Sequence, residues 1–218
     1  EGEDELRRLE EKYGGERSSL LAEEWIIRDF FQDRREGIFI DIGANDYRWA
    51  SNTYYLETAL GWSGLAIEPQ TRFAADYARH RPKTTFVPMF VSSASDQDVA
   101  LYVPADNLLA SGSREFAAQD ATPMDIVTVR TATLDDILES HGIARIDFLS
   151  MDIELAEPEA LAGFSIDRFR PSLVCVEGHL EVRQQILDYF ARHRYVLVGD
   201  YLRADGHNLW FRPLESVR

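Results

Sequence analysis

Apolar residues along this chain alternate between two textures: short unbroken runs, and longer stretches repeating every three or four positions. The second texture appears first. "LLAEEWIIRDFF" sets Leu21, Trp25, Ile26 and Phe30 roughly on one face of a helix. The charged "EGEDELRRLEEKYGGERSS" before it, with its Gly-Gly break, predicts a short peripheral helix and linker over residues 1–19, ahead of a single domain over 20–218. "GIFIDIG" is a β-branched and aromatic run between two glycines, which fits a fully buried strand. "SNTYYLETAL" predicts a helix capped at Ser51 or Asn52 and closed by Gly61.

The alternation then continues. "SGLAIEP" and "TTFVPMFV" predict a second and third strand around the helix "TRFAADYARH". "DVALYVP" and "DIVTVRT" predict a hairpin on the sheet edge, and "TLDDILESHG" a helix capped at Thr133. "RIDFLSMDIE" is a fourth strand ending in acids, followed by a short helix begun at Pro158. "SLVCVEGH" is a fifth strand and "EVRQQILDYFARH" a helix, while "RYVLVGDYL" and "HNLWFRP" predict a closing antiparallel pair. Strands and helices at this spacing imply an α/β fold, a parallel sheet covered on both faces. Residues 104–124 lack periodicity, and a loop of that length is often a lid or specificity element.

Charge narrows the partners. A formal net charge of -15 argues against nucleic acid, whose phosphates need clustered Lys and Arg, and against an anionic membrane surface. No run approaches the length of a membrane span. Cys175 is the lone cysteine and sits in an apolar run, so it reads as a buried, inert thiol without a disulfide. A cytoplasmic location is the expectation, although the chain opens on Glu1 rather than methionine and an upstream signal or anchor stays open. The oligomeric state is open as well.

Ligands of an open parallel sheet bind outside the carboxyl ends of its strands. The polar residues predicted there are Asp41, Gly43 and Asn45, then Glu68, then Ser92 and Ser93, then Asp152 and Glu154, then Glu177 and His179. Glu68, at the end of the second strand, suits the two hydroxyls of a ribose; its bland reading is a helix cap. A pyrophosphate would need a second glycine after Gly43, but Asp46 and Tyr47 stand there. Acids and Asn beside Gly43 instead suit a cationic, phosphate-free cofactor, and S-adenosylmethionine fits.

"FIDIGAND", "SNTYYLE", "GWSGLAIEP", "TLDDIL", "IDFLSMDIE" and "ALAGFSIDRFRP...VCVE", in this order, resemble the FkbM-like family of S-adenosylmethionine-dependent methyltransferases over about residues 20–212. The resemblance implies a Rossmann-like class I methyltransferase fold with a mostly parallel seven-stranded sheet. It also implies O-methylation of hydroxyls on small molecules, sugars or glycans. By that resemblance Asp41, Gly43 and Asn45 form the cofactor turn, Asn52 opens the next helix, Glu68 holds the ribose and Ser92 meets the adenine. One departure stands out: the family often reads acid-Val-Glu-Gly where this chain has "DIEL", with Leu155 in the glycine's place.

For a hydroxyl acceptor, a proton must leave as the methyl group arrives. Asp152 is the first choice for substrate contact or proton acceptance, and His179 the second. Asp152, Glu154, Glu177 and His179 also form a possible oxygen and nitrogen ligand set for a magnesium-like divalent cation. Asp205 and His207 read as turn residues. Two other classes remain at this point: a metal-dependent hydrolase built on the same acids, and a non-catalytic cofactor-binding protein of the same fold.

Overall fold

A computed structural model of the protein describes residues 2–105, 110–119 and 123–214. The chain opens with α1 (Gly2–Tyr13), α2 (Glu23–Phe31), β1 (Ile38–Ile42), α3 (Tyr54–Thr58) and β2 (Ser63–Ile67). After a 3-10 turn at Thr71–Phe73 come α4 (Ala74–His80), β3 (Thr84–Val87), β4 (Phe90–Val91), β5 (Asp98–Pro104), α5 (Arg114–Ala117) and β6 (Met124–Ala132). Then follow α6 (Leu134–Ser140), β7 (Phe148–Met151), α7 (Glu157–Ala162), α8 (Ile166–Phe169) and β8 (Leu173–Glu177). The chain closes with α9 (Arg183–Arg192), β9 (Tyr195–Leu197), α10 (Tyr201–Ala204) and β10 (Asn208–Pro213).

Seven strands form one sheet in the order β3-β2-β1-β7-β8-β10-β9. β10 runs antiparallel to both β8 and β9, and the other pairings are parallel. Strand alternation sorts the core into two layers. Ile40, Ile42, Leu149, Met151, Val174 and Val176 face one cluster with α6, α7 and α9; Phe39, Phe148, Cys175 and Trp210 face another with α2. Cys175 is buried and free. Leu9 of α1 is buried in the second cluster, and Lys12 pairs with Asp29 of α2 at 2.9 Å. Among the described residues no helix is long and apolar enough to cross a membrane.

The expected third strand breaks at Pro88 into β3 and β4, because proline cannot donate the ladder hydrogen bond that continuity requires. The hairpin forms between β5 and β6, but it leaves the main sheet's edge free and takes β4 as the third member of a separate sheet. "RYVLVGDYL" stays extended only to Leu197 before turning into α10. Thr133 does cap α6, accepting the Asp136 N–H at 3.1 Å. Neither Ser51 nor Asn52 caps α3; its first flanking residue is Thr53, which makes no side-chain cap.

Thr53 is occupied elsewhere. Its hydroxyl donates to Asp41 Oδ2 at 2.8 Å, and its hydroxyl and carbonyl oxygens both accept from Arg81 Nη2 at 3.1 Å. Arg81 is fully buried; its Nε donates to Glu57 Oε2 at 2.6 Å and its Nη1 to the Tyr47 carbonyl at 2.8 Å. Glu57 Oε1 accepts the Lys83 N–H at 2.8 Å, and its Oε2 also accepts the Thr84 hydroxyl. One guanidinium thus fastens the β1–α3 loop to the end of α4. Removing one partner of a buried pair strands the other charge. Urea unfolding of Arg81→Met should show a loss of about 3–5 kcal/mol, and adding Glu57→Gln should recover part of it.

Candidate active site

The β1 ladder ends in a backbone that only glycine can follow. Gly43 has φ 81°, and a Cβ there would stand 1.8 Å from the Asp152 carbonyl oxygen. The ends of β1 and β7 therefore touch, and the next residues turn away. Asn45 is left-handed at φ 45°, a conformation its short amide side chain tolerates. Its N–H reaches Glu68 Oε2 at 3.3 Å, while Glu68 Oε1 accepts the Gln70 N–H at 2.9 Å. Glu68 is buried, and that burial raises its carboxyl against the pull of these backbone donors.

These turns border a cleft of about 510 Å³, counting the space open to solvent. Its walls are Gly43, Asn45, Glu68 and Gln70 from the β1 and β2 ends, and Met89, Phe90 and Val91 beyond β3. Leu101 and Ala110 come from the β5 region, and Asp152, Ile153 and Glu154 from the β7 end.

Of the residues expected to hold a cofactor, Gly43, Asn45 and Glu68 line the cleft and Asp41, Asn52 and Ser92 do not. Asp41 points inward to Thr53, and Asn52 Nδ2 donates to Ser150 Oγ at 3.1 Å, so both brace the loop from behind. Ser92 pairs its N–H with the Ala132 carbonyl, and Met89 and Phe90 reach the cleft in its stead. The break at Pro88 was the sequence signal for that shift. Gln70, Leu101 and Ala110 carried no such signal.

The acids beyond β7 and β8 converge. His179 Nε2 lies 3.0 Å from Glu154 Oε2 and 2.9 Å from Glu177 Oε2. The Glu154 contact has hydrogen-bond geometry, whereas the buried Glu177 Oε2 lacks a partner with that geometry. Asp152 is solvent-exposed and lines the cleft, with a carboxyl that nearby protein atoms raise against the pull of Glu177 and the charge of His179. Burial raises Glu177 as well, and the charges of Asp152 and Glu154 add to it. The segment expected to act as a lid is partly described: Ser111 Oγ donates to the Glu154 carbonyl at 2.7 Å, and the Phe116 ring meets the His179 ring edge-on at 4.9 Å. Residues 106–109 and 120–122 of that segment lie outside the described residues. Asp205, as expected of a turn residue, accepts the N–H groups of His207 and Asn208 at 3.1 Å.

The strand order is that of a Rossmann-like class I methyltransferase fold, and the family match makes the chain a methyltransferase that uses S-adenosylmethionine. The chain belongs to the methyltransferase FkbM domain family, whose model matches residues 41–197. That membership sets aside the hydrolase reading. Among solved structures, the chain is similar to a TehB-like S-adenosylmethionine-dependent methyltransferase from Corynebacterium glutamicum, at 12% identity and TM-score 0.50, over 98% of this chain and 96% of that one. It also resembles an S-adenosylmethionine-dependent O-methyltransferase from Thermotoga maritima at 11% identity and TM-score 0.47, over 100% and 73% of the two chains. No curated protein sequence matches this one.

The chemistry of the lining is compatible with that cofactor: the Glu68, Asp152 and Glu154 carboxyls border the cleft, and among the described residues it has no glycine-lined phosphate turn. Burial also has a consequence for stability. It raises Asp41 to about 6, against the hydrogen bond from Thr53 and the charge of Arg81. A carboxyl raised in the folded state favours folding at low pH, and that contribution disappears as pH rises from about 4 through about 6. Asp41→Asn should therefore match the wild type below about pH 4 and exceed its unfolding free energy by about 2–3 kcal/mol above pH 7, as read by denaturation at each pH.

Proposed function

We propose that the protein methylates a hydroxyl group of a small molecule, sugar or glycan, with Asp152 as the acceptor-side base. One observation carries this reading. Asp152 and Glu154 form a wall of the cofactor cleft, and Glu154 meets His179 and Glu177 in one cluster. A hydroxyl must lose its proton as its oxygen attacks, and such a cluster suits receiving it.

Gly43, Asn45 and Glu68 would hold the cofactor, with Glu68 accepting from the ribose hydroxyls. When bound, S-adenosylmethionine supplies an electrophilic methyl carbon. Asp152 orients the acceptor oxygen and takes its proton, while Glu177 and His179 disperse the charge that results. Asp41, Asn52 and Ser92 act only by shaping the turns around the cleft. A reducing cytoplasm suits a chain whose one cysteine is free.

A specific observation favours a cation-assisted variant. Ligand atoms of Glu154, Glu177 and His179 all lie within 4.8 Å of one another. Two carboxylates and an imidazole could hold a divalent ion that lowers the acceptor's pKa. The two carboxylates suit a magnesium-like or manganese ion, and the imidazole nitrogen is a ligand that zinc also takes.

Calorimetry with S-adenosylhomocysteine should show binding that Glu68→Ala weakens by about 10–100-fold, the worth of a charged hydrogen bond. Asp152→Ala should bind it within about threefold of wild type and lose about 10²–10⁴-fold in turnover against a panel of hydroxylated acceptors. An Asp152 variant with unaltered turnover would remove the base assignment. For the cation, treatment with EDTA should abolish turnover and added Mn²⁺ should restore it; an EDTA-insensitive rate means the cluster works with protons alone.

A further inference from the structure

The chain between β7 and α7 takes a path that its residue types oppose. Glu154 has φ 55° and Leu155 has φ 76°, two consecutive non-glycine residues in the left-handed region. Leu155 is the one branched aliphatic residue in that region among the described residues. The clash of Cβ with the following carbonyl makes this costly, and such strain persists only where its surroundings over-determine it.

The surroundings here are three. Glu157 is fully buried, and its Oε1 accepts the Ile153 N–H at 3.0 Å, just ahead of the strained pair. Ser111 Oγ donates to the Glu154 carbonyl at 2.7 Å from the far side. His179 Nε2 meets the Glu154 carboxylate at 3.0 Å. The first two contacts grip backbone, and the third is where the grip delivers the side chain.

We propose that the Glu154–Leu155 turn is a strained positioning device, gripped by Glu157 and Ser111, which aims the Glu154 carboxylate at His179. Glu157 is its principal positioning residue. An unstrained path would leave Glu154 free to turn toward the cleft mouth, and His179 would keep only Glu177. The proposal deepens the function above and rests on the acceptor-side role given there to this cluster. Packing of the Leu155 side chain on the core offsets part of its backbone strain, and the buried Glu157 reaches a backbone N–H inside the turn.

Variants at Leu155 and Glu157 and one probe test it without an identified acceptor. Leu155→Gly and Leu155→Ala both lose the side chain's packing on the core, and only glycine relaxes the turn, so Leu155→Gly should have the higher Tm by about 2–4 °C. Glu157→Leu removes the grip, while Glu157→Gln keeps an oxygen for the Ile153 N–H. The probe is the ¹⁵N chemical shift of the His179 ring, with Glu154→Gln as the reference for a broken contact. Glu157→Leu should move that shift as Glu154→Gln does, and Glu157→Gln should leave it near wild type. S-adenosylhomocysteine, measured by calorimetry, should bind the Leu155 and Glu157 variants within about threefold of wild type. A folded Glu157→Leu protein with a wild-type His179 shift overturns the proposal, as does a Leu155→Gly protein no more stable than Leu155→Ala. If Glu157→Leu does not fold, Ser111→Ala gives the same reading from the other grip. A wild-type protein that fails to bind S-adenosylhomocysteine would sink the methyltransferase function and leave the turn's stability and ring-shift results standing on their own.

Discussion

The Arg81 guanidinium is the constraint on which the cofactor side depends. It lies entirely inside the protein, and each of its contacts fixes a different part of the β1–α3 loop. The Tyr47 carbonyl anchors one end of that loop, Thr53 the other, and Glu57 the helix that follows. A lysine could not substitute, since its compact ammonium lacks the planar fork that reaches separate oxygens at once. A buried pair of this kind contributes little net stability once desolvation is counted, so its value lies in placement. Gly43 and Asn45 sit at the start of the loop that Arg81 holds down.

A second constraint joins the cofactor side to the acceptor side. Gly43 packs so closely on the Asp152 carbonyl that no side chain fits between. The loop after β1 and the loop after β7 are therefore one unit: a shift in either moves a wall of the same cleft. Beyond Asp152 the chain bends through Glu154 and Leu155, and that bend brings Glu154 to His179. Extended strand alternation alone would have set Glu154 on the same side as Asp152. The convergence with His179 comes instead from left-handed backbone.

This bend marks the limit of what the residues announced. The run "FIDIG" read as a buried strand and is one, because periodicity and glycine boundaries are local properties. Glu68 at the end of β2 and the acids after β7 and β8 followed from strand ends, which the same local pattern locates. Asp41 looked identical to a ligand-facing acid, yet strand alternation turned it inward to Thr53, where Arg81 could balance it. Arg81 itself gave no signal, because its partners Tyr47, Thr53 and Glu57 lie 24 to 34 residues away, in the β1–α3 loop and α3. Leu155 was visible as a departure from the glycine of related sequences, but only its φ of 76° shows what the glycine would have supplied. Met89 and Phe90 entered the cleft through the break at Pro88, a local signal whose spatial consequence depended on the neighbouring sheet.

The chemistry of the acceptor side follows from crowding. Glu154, Glu177 and His179 stand together, partly buried, beside the solvent-exposed Asp152, and like charges held side by side there repel one another. A shared proton or a cation near His179 relieves that repulsion. Either occupant answers the same deficit of positive charge, which is why the geometry suits both a proton-receiving cluster and an ion site. In the proposed O-methylation a hydroxyl acceptor gives up its proton, and this cluster would take it by passing charge along its members. The short contacts from His179 to Glu154 and Glu177 provide that path, with Glu154 held at its end of it by the strained turn.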